Sequence, residues 1–121
     1  MQRLSSEVHA CRRGEVWMVD FDPAVGHEQR KVRPALVLSA DWHRVSHAEM
    51  VTVVPITSHG RTDIPTRVPI APPEGGLVLP GHVMGEQVRT ISTQRLRRLM
   101  GIASGATVER VAGVVRGMLG L

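Results

Sequence analysis

The sequence predicts a small, mainly β fold that ends in a single helix. Two short, nearly continuous apolar runs, at 34–39 and 51–56, are typical of strands that are buried on both faces. Clusters of proline and glycine separate further short strand-like segments at the spacing expected for a small barrel. The apolar period of a helix is convincing only near the C-terminus.

The length of the chain fits one domain. At 121 residues it is long enough for a modest core and too short for separate catalytic and binding domains. Residues 1–12 mix polar and charged side chains without a sustained apolar period, so we predict a poorly ordered tail there. Residues 13–121 are predicted to form the single domain.

The first half of the domain is predicted to hold three strands and one long loop. The alternation over Glu15–Phe21 predicts the first strand, and the charged, glycine-containing stretch 24–32 predicts a loop. The apolar runs at 34–39 and 51–56 are predicted to be the central strands. The stretch 41–50 between them fits either a helical turn or a long connection.

The second half is predicted to hold two strands and the helix. Thr66–Ile70 is predicted to be an edge strand, 72–76 a turn, and His82–Ile91 a further strand. The pair Ser104-Gly105 is a helix start signal. Apolar residues then recur at helical spacing at Val108, Val111, Ala112, Val115 and Leu119.

Charge and composition favour a polyanionic partner. The formal net charge is +4, and Lys31 is the one lysine among 15 basic residues. Arginine matches phosphate with two parallel hydrogen bonds and keeps its charge at any working pH. The single cysteine, Cys11, predicts no internal disulfide, and no apolar run has the length of a membrane span, so we expect a cytoplasmic protein without a membrane anchor.

Familiar catalytic motifs are absent from the sequence. There is no phosphate-binding loop of the Gly-x-x-x-x-Gly-Lys type and no Gly-x-Ser-x-Gly nucleophile elbow. His43 and His47 have the i, i+4 spacing of two ligands on one helix face, with Glu49 nearby, but no further ligand set accompanies them. We therefore predict neither a metal site nor a cofactor.

What remains is a polar cluster at one end of the predicted sheet. Arg33 stands at the entrance to a central strand, and Thr57 and Ser58 stand at the exit of the next one. Antiparallel neighbours place that entrance and that exit at the same end. The loop that carries His27, Glu28 and Gln29 joins the sheet there as well.

Six sequence motifs, in this order, resemble the MazF/PemK/Kid family of toxin endoribonucleases. They lie at Arg13–Trp17, Asp20–Pro23, Gly26–Gln29, Arg33–Ser39, Val54–Ser58 and Glu86–Ile91. The resemblance implies an SH3-like barrel with an appended C-terminal helix and a homodimer. It also implies sequence-specific, metal-independent cleavage of single-stranded RNA that leaves 2′,3′-cyclic phosphate and 5′-hydroxyl ends.

The resemblance assigns roles to particular residues. The family's catalytic arginine, hydroxyl residue and loop glutamate fall on Arg33, Thr57 and Glu28. We predict RNA contacts for a further set of polar residues: His27, Gln29, Ser58, Glu86, Gln87 and Arg89.

One position departs from the family's Kid branch. That branch uses an arginine for proton transfer two residues before the acidic position of the last motif, and this chain has Met84 there. A thioether neither donates a proton nor pairs with phosphate. Arg33 is therefore predicted to be the principal cation.

The resemblance also implies that a separate protein, a cognate acidic antitoxin, inhibits the activity. Two other functions stay open at this point, because one fold hosts many activities. They are a non-catalytic SH3-like binding module and a gyrase-poisoning toxin with the same barrel.

Overall fold

A computed structural model describes residues 11–22, 31–41, 49–59 and 63–121. Seven strands and one helix longer than a single turn lie within these ranges. They are β1 (Glu15–Asp20), β2 (Val32–Val37), β3 (Met50–Thr57), β4 (Arg67–Ile70), β5 (Gly81–Met84), β6 (Arg89–Ser92), β7 (Leu96–Ile102) and α1 (Gly105–Leu119).

All the strand pairs are antiparallel, and the main path through the sheet is β4-β5-β3-β2-β1-β7. Strand β6 lies off this path and pairs with the first half of β3. Val53 of β3 pairs with Val37 on one side and Arg89 on the other. The end of β3 then pairs with β5, where Thr57 is opposite His82.

The two central strands are buried on both faces, as predicted. On one face, Leu36 and Val54 join a core that includes Val111 of α1. On the other face, Ala35 and Val53 join a second core around Trp17, Phe21 and Leu96. Because neighbouring residues of a strand point to opposite faces, the continuous apolar runs supply both cores at once.

The predicted C-terminal helix is confirmed. The Ser104 hydroxyl accepts a hydrogen bond from the Thr107 amide at 3.2 Å, which caps the first turn of α1. Gly120 ends the helix in the left-handed conformation, with φ of 74°. The Glu74 carboxylate accepts a hydrogen bond from the Ser104 amide at 2.8 Å and so ties the helix start to the preceding turn. None of the described helices has the length and apolar character needed to cross a membrane.

The prediction of one strand over His82–Ile91 was wrong, because a 3₁₀ turn at Gly85–Gln87 divides it into β5 and β6. The Gly85 amide donates to the Thr66 carbonyl oxygen at 2.9 Å, and a methyl group on Gly85 would lie 2.8 Å from that oxygen. This close approach of two backbone segments bends the chain, so β5 and β6 pair with different stretches of β3.

The edge strand β7 was not predicted, because arginines interrupt its apolar residues. Its pairing with β1 nevertheless covers most of its length, with two register irregularities.

The predicted mainly β fold with a C-terminal helix is confirmed, and within the described part of the chain its sheet does not close on itself. The sheet is open, with β4 and β7 at the two ends of the main path. The 3₁₀ turn Glu74–Gly76 packs against β7 in the space between them. Gly76 has φ of +71°, and a methyl group there would collide with the carbonyl oxygen of Met100. The turn approaches β7 this closely because it has no side chain at Gly76.

Gly76→Ala should destabilise the fold by at least about 2 kcal/mol, because it adds left-handed strain to a backbone collision. Gly113→Ala is the matched control, since nothing lies within 4 Å of a methyl group at this helix position. That control should be more stable than the wild type by up to about 1 kcal/mol. Chemical denaturation of the three chains measures both effects, and equal stabilities would contradict the packing described for the turn.

Candidate active site

Three polar residues occupy neighbouring positions on three adjacent strands. Thr57 of β3 pairs with His82 of β5. The register between β2 and β3 joins Ala35 to Pro55, and its continuation by two residues brings Arg33 opposite Thr57. Arg33, Thr57 and His82 therefore form a row across one end of the sheet, as the strand ends predicted for the first two.

Arg33 and Thr57 line a common cavity of about 360 Å³, together with Ser58. Its other walls are mostly apolar and include Met18 of β1 and Met100 of β7. The structure thus brings together three of the predicted site residues. An arginine and two hydroxyl residues in one cavity suit a phosphate group, because both kinds of side chain donate hydrogen bonds to anionic oxygens.

The position of Thr57 is tightly determined. Its side chain is buried, and its hydroxyl oxygen accepts a hydrogen bond from the His59 amide at 3.1 Å. A methyl group at Gly81 would lie 2.5 Å from the Thr57 carbonyl oxygen, so only glycine allows β5 to approach this closely. Since the hydroxyl oxygen accepts the His59 bond, the hydroxyl proton is able to donate to a ligand.

A second cavity of about 810 Å³ lies on the other side of the segment Leu79–Gly81. Ser58 lines both cavities, and the second one is also lined by His59 and His82. Nδ1 of His82 is buried and has no hydrogen-bond partner among the described residues. Sequence reasoning missed His82, and its one signal was its place at the start of a predicted strand.

The loop that carries three of the predicted site residues lies outside the described ranges. His27, Glu28 and Gln29 belong to it, and their roles stay predictions. Its two ends are described and joined: the Lys31 amide donates to the Asp22 carboxylate at 2.8 Å, and the Phe21 amide donates to the Lys31 carbonyl at 3.0 Å.

Two arginines hold the start of this loop, Arg95 just before β7 and Arg97 within it. The Arg95 guanidinium donates to the carbonyl oxygens of Asp20 and Asp22 at 3.0 and 2.5 Å. The Arg97 guanidinium donates to the Asp20 carboxylate at 2.9 Å, and this bond lowers the pKa of Asp20. The chain leaves the sheet at Asp20 and re-enters it at Val32, and these two residues pair with each other. Both ends of the loop are therefore close to Arg33.

The predicted RNA-contacting residues of the last motif line neither cavity. The Glu86 carboxylate accepts hydrogen bonds from the Thr66 hydroxyl at 2.7 Å and from the Arg67 guanidinium at 2.7 and 3.0 Å. Gln87 is half-buried in the same 3₁₀ turn. The Arg89 guanidinium lies 5.5 Å from the centre of the Phe21 ring, a cation–π contact that holds it against the second core.

Met84 is buried, at 3% exposure, and its cross-strand neighbour is Arg67. That arginine is already engaged by Glu86. Among the described residues, the position where the Kid branch has an arginine is therefore occupied by a buried methionine, and the arginine opposite it is held by Glu86.

No group of three metal-ligating side chains occurs among the described residues. His43 and His47, weighed as metal ligands from their spacing, lie outside the described ranges.

The open antiparallel sheet, the C-terminal helix and this cavity define a small β protein whose cavity is lined by arginine and hydroxyl side chains. The sequence profile of the PemK-like, MazF-like toxins of type II toxin–antitoxin systems matches residues 12–119. The chain belongs to this family, which confirms the resemblance of the motifs.

Individual relatives agree with this assignment. The chain is 38% identical over 104 residues to endoribonuclease MazF9 of Mycobacterium tuberculosis, and this match covers 83% of this chain and 88% of that protein. It is 33% identical over 111 residues to endoribonuclease PemK of Escherichia coli, and this match covers 91% of this chain and 77% of that protein. The crystal structure of MazF from Deinococcus radiodurans superposes with a TM-score of 0.80 at 26% identity, over 92% of this chain and 97% of that one.

Glu86→Gln should lower stability at neutral pH, and the loss should shrink as the pH falls. Burial raises the pKa of Glu86, but the hydrogen bonds from Arg67 and Thr66 outweigh it and lower the pKa below its usual value of 4.5. A lowered folded-state pKa gives stability that is present above 4.5 and is lost as the pH falls through the folded-state value.

Urea unfolding of the wild type and the variant at several pH values between about 3 and 7 measures this difference. Glu109→Gln is the control, because that side chain is exposed on α1 and its nearest basic atom, on Arg13, is 4.0 Å away. A difference for Glu86→Gln that does not change with pH would show that the carboxylate charge has no part in holding this turn.

Proposed function

We propose that this chain is the toxin of a type II toxin–antitoxin pair and acts as a metal-independent, sequence-specific endoribonuclease on single-stranded RNA. The observation that carries the proposal is the common cavity of Arg33 and Thr57, two residues that the family resemblance assigns to catalysis. The family match and the endoribonuclease names of its relatives support the same activity.

The reaction uses the substrate's own 2′-hydroxyl, which DNA lacks. The 2′-oxygen forms a bond to the adjacent phosphorus while the bond from phosphorus to the 5′-oxygen breaks. One proton leaves the 2′-hydroxyl and one reaches the departing 5′-oxygen. The products are a 2′,3′-cyclic phosphate and a 5′-hydroxyl.

Arg33 and Thr57 stabilise the phosphate during this step. The planar guanidinium of Arg33 holds two phosphoryl oxygens as negative charge develops on them. The Thr57 hydroxyl donates to the same phosphate from a buried, β-branched side chain, which costs little reorganisation.

The proton transfers are assigned to the loop between β1 and β2. Glu28 is the candidate general base, and His27 is the alternative because a histidine titrates nearer neutrality. The joined ends of the loop, at Asp22 and Lys31, support a position beside Arg33.

Two partners complete the proposal. The first is a cognate acidic antitoxin, which the family's type II toxin–antitoxin assignment supports. The second is another copy of this chain, because a small fold with exposed apolar side chains such as Leu99 and Ile102 gains stability from a symmetric contact. We place the protein in the cytoplasm.

The relatives' names favour the nuclease over a gyrase poison of the same fold. The hydroxyl and guanidinium groups in one cavity favour it over a passive binding module.

The purified chain should cut single-stranded RNA in the presence of EDTA and leave cyclic phosphate ends, because the nucleophile belongs to the substrate. The same sequence as all-deoxy DNA should stay intact. End-group analysis of the products measures both. Cleavage that needs Mg²⁺, or equal cleavage of the DNA, would refute this chemistry.

Arg33→Ala should reduce the cleavage rate by about 10² to 10³, the usual scale for removal of one transition-state donor. Arg33→Lys, which keeps the charge but not the planar fork, should restore only part of that rate. Arg116→Ala is the matched control, since it removes one exposed arginine from the last turn of α1. The melting temperature of each chain is measured alongside. A folded Arg33→Ala chain with normal activity would exclude Arg33 from catalysis.

A further inference from the structure

The segment 95–98, at the start of β7, carries three arginines with different surroundings. Arg95 and Arg97 are engaged by the chain around Asp20 and Asp22. The Arg98 side chain is exposed and makes no hydrogen bond or ion pair with any described residue. Its cross-strand neighbour is Met18 of β1. Both Arg98 and Met18 line the cavity that holds Arg33 and Thr57.

The charged residues that line the described part of this cavity are all basic. Arg33 and Arg98 line it, and no acidic residue is among its described lining residues. Two cations that line one cavity create a positive potential, and a single-stranded nucleic acid brings a negative charge with every nucleotide. The apolar lining from Met18, Leu77 and Met100 is suited to the base or sugar of the bound nucleotide.

We propose that Arg98 is a phosphate-binding residue that holds the RNA phosphate next to the one held by Arg33. The inference rests on the proposed function and names a second backbone subsite for the same substrate. With two consecutive phosphates fixed, the nucleotide between them is held at both ends. This contact is expected to strengthen binding of the RNA equally before and during the cleavage step.

An acidic segment of an antitoxin is the other ligand that two arginines would attract. RNA is favoured because the cavity also contains Thr57, whose hydroxyl belongs to the proposed cleavage step.

Binding is measured with a pool of single-stranded RNA that carries 2′-O-methyl groups and therefore cannot be cleaved. Arg98→Ala should weaken binding about 10-fold, the low end of the loss for a hydrogen bond to a charged group. The plot of log binding constant against log salt concentration should become less steep by about 0.7, the expected change for one phosphate contact to a single strand. Arg98→Lys should keep the wild-type slope, because it retains the charge.

Arg116→Ala is again the charge-matched control and should leave both the affinity and the slope unchanged. On unmodified RNA, Arg98→Ala should raise KM about as much as it weakens binding and leave kcat within a factor of a few. Because the Arg98 side chain is exposed, the melting temperature of the Arg98→Ala variant should equal that of the wild type within error.

A salt slope for Arg98→Ala equal to that of the wild type overturns the inference while RNA cleavage by the wild type still stands. Weakened inhibition by the antitoxin with unchanged RNA binding also overturns it and assigns the subsite to the acidic segment. A wild-type chain that binds the RNA pool but cuts no RNA contradicts the proposed function instead.

Discussion

Strand β3 is occupied on both edges and both faces, and the rest of the fold is arranged around it. Its edges pair with β2 on one side and with β6 and then β5 on the other. Its faces contribute Val54 to one core and Val53 to the second. A slip of one residue would exchange these faces and put each side chain into the core that is packed for its neighbour. The register of β3 is therefore strongly determined, and so is the position of Thr57 at its end.

The candidate site lies where this well-determined strand stops. Its last residue, Thr57, is buried and paired with β5, whereas Ser58 is already exposed and lines both cavities. A residue held firmly by the sheet, Thr57, is thus followed directly by a residue that a ligand can reach, Ser58. Two glycines allow close backbone contacts around the site. Gly76 lies directly against the backbone of β7, and Gly81 lies directly against the backbone of Thr57.

Apolar patterning predicted the parts of the fold that burial decides. The two central strands, the helix start at Ser104 and the common location of Arg33 and Thr57 followed from it. The break at Gly85 and the edge strand β7 did not, because each depends on contacts with distant backbone rather than on local periodicity. Arg98 was missed for the same reason, since a cross-strand register and not its own neighbours places it in the cavity.

The arginines show why net charge is a poor guide to a binding site. The excess of arginine in the sequence indicated a polyanionic partner, but several of the described arginines serve the fold. Arg67 holds Glu86, Arg95 and Arg97 hold the start of a loop, and Arg89 stacks on Phe21. These contacts neutralise or enclose the charges that they use. Among the described residues, the positive potential offered to a ligand is therefore concentrated in the cavity that Arg33 and Arg98 line, and affinity for RNA should follow those positions rather than the total charge.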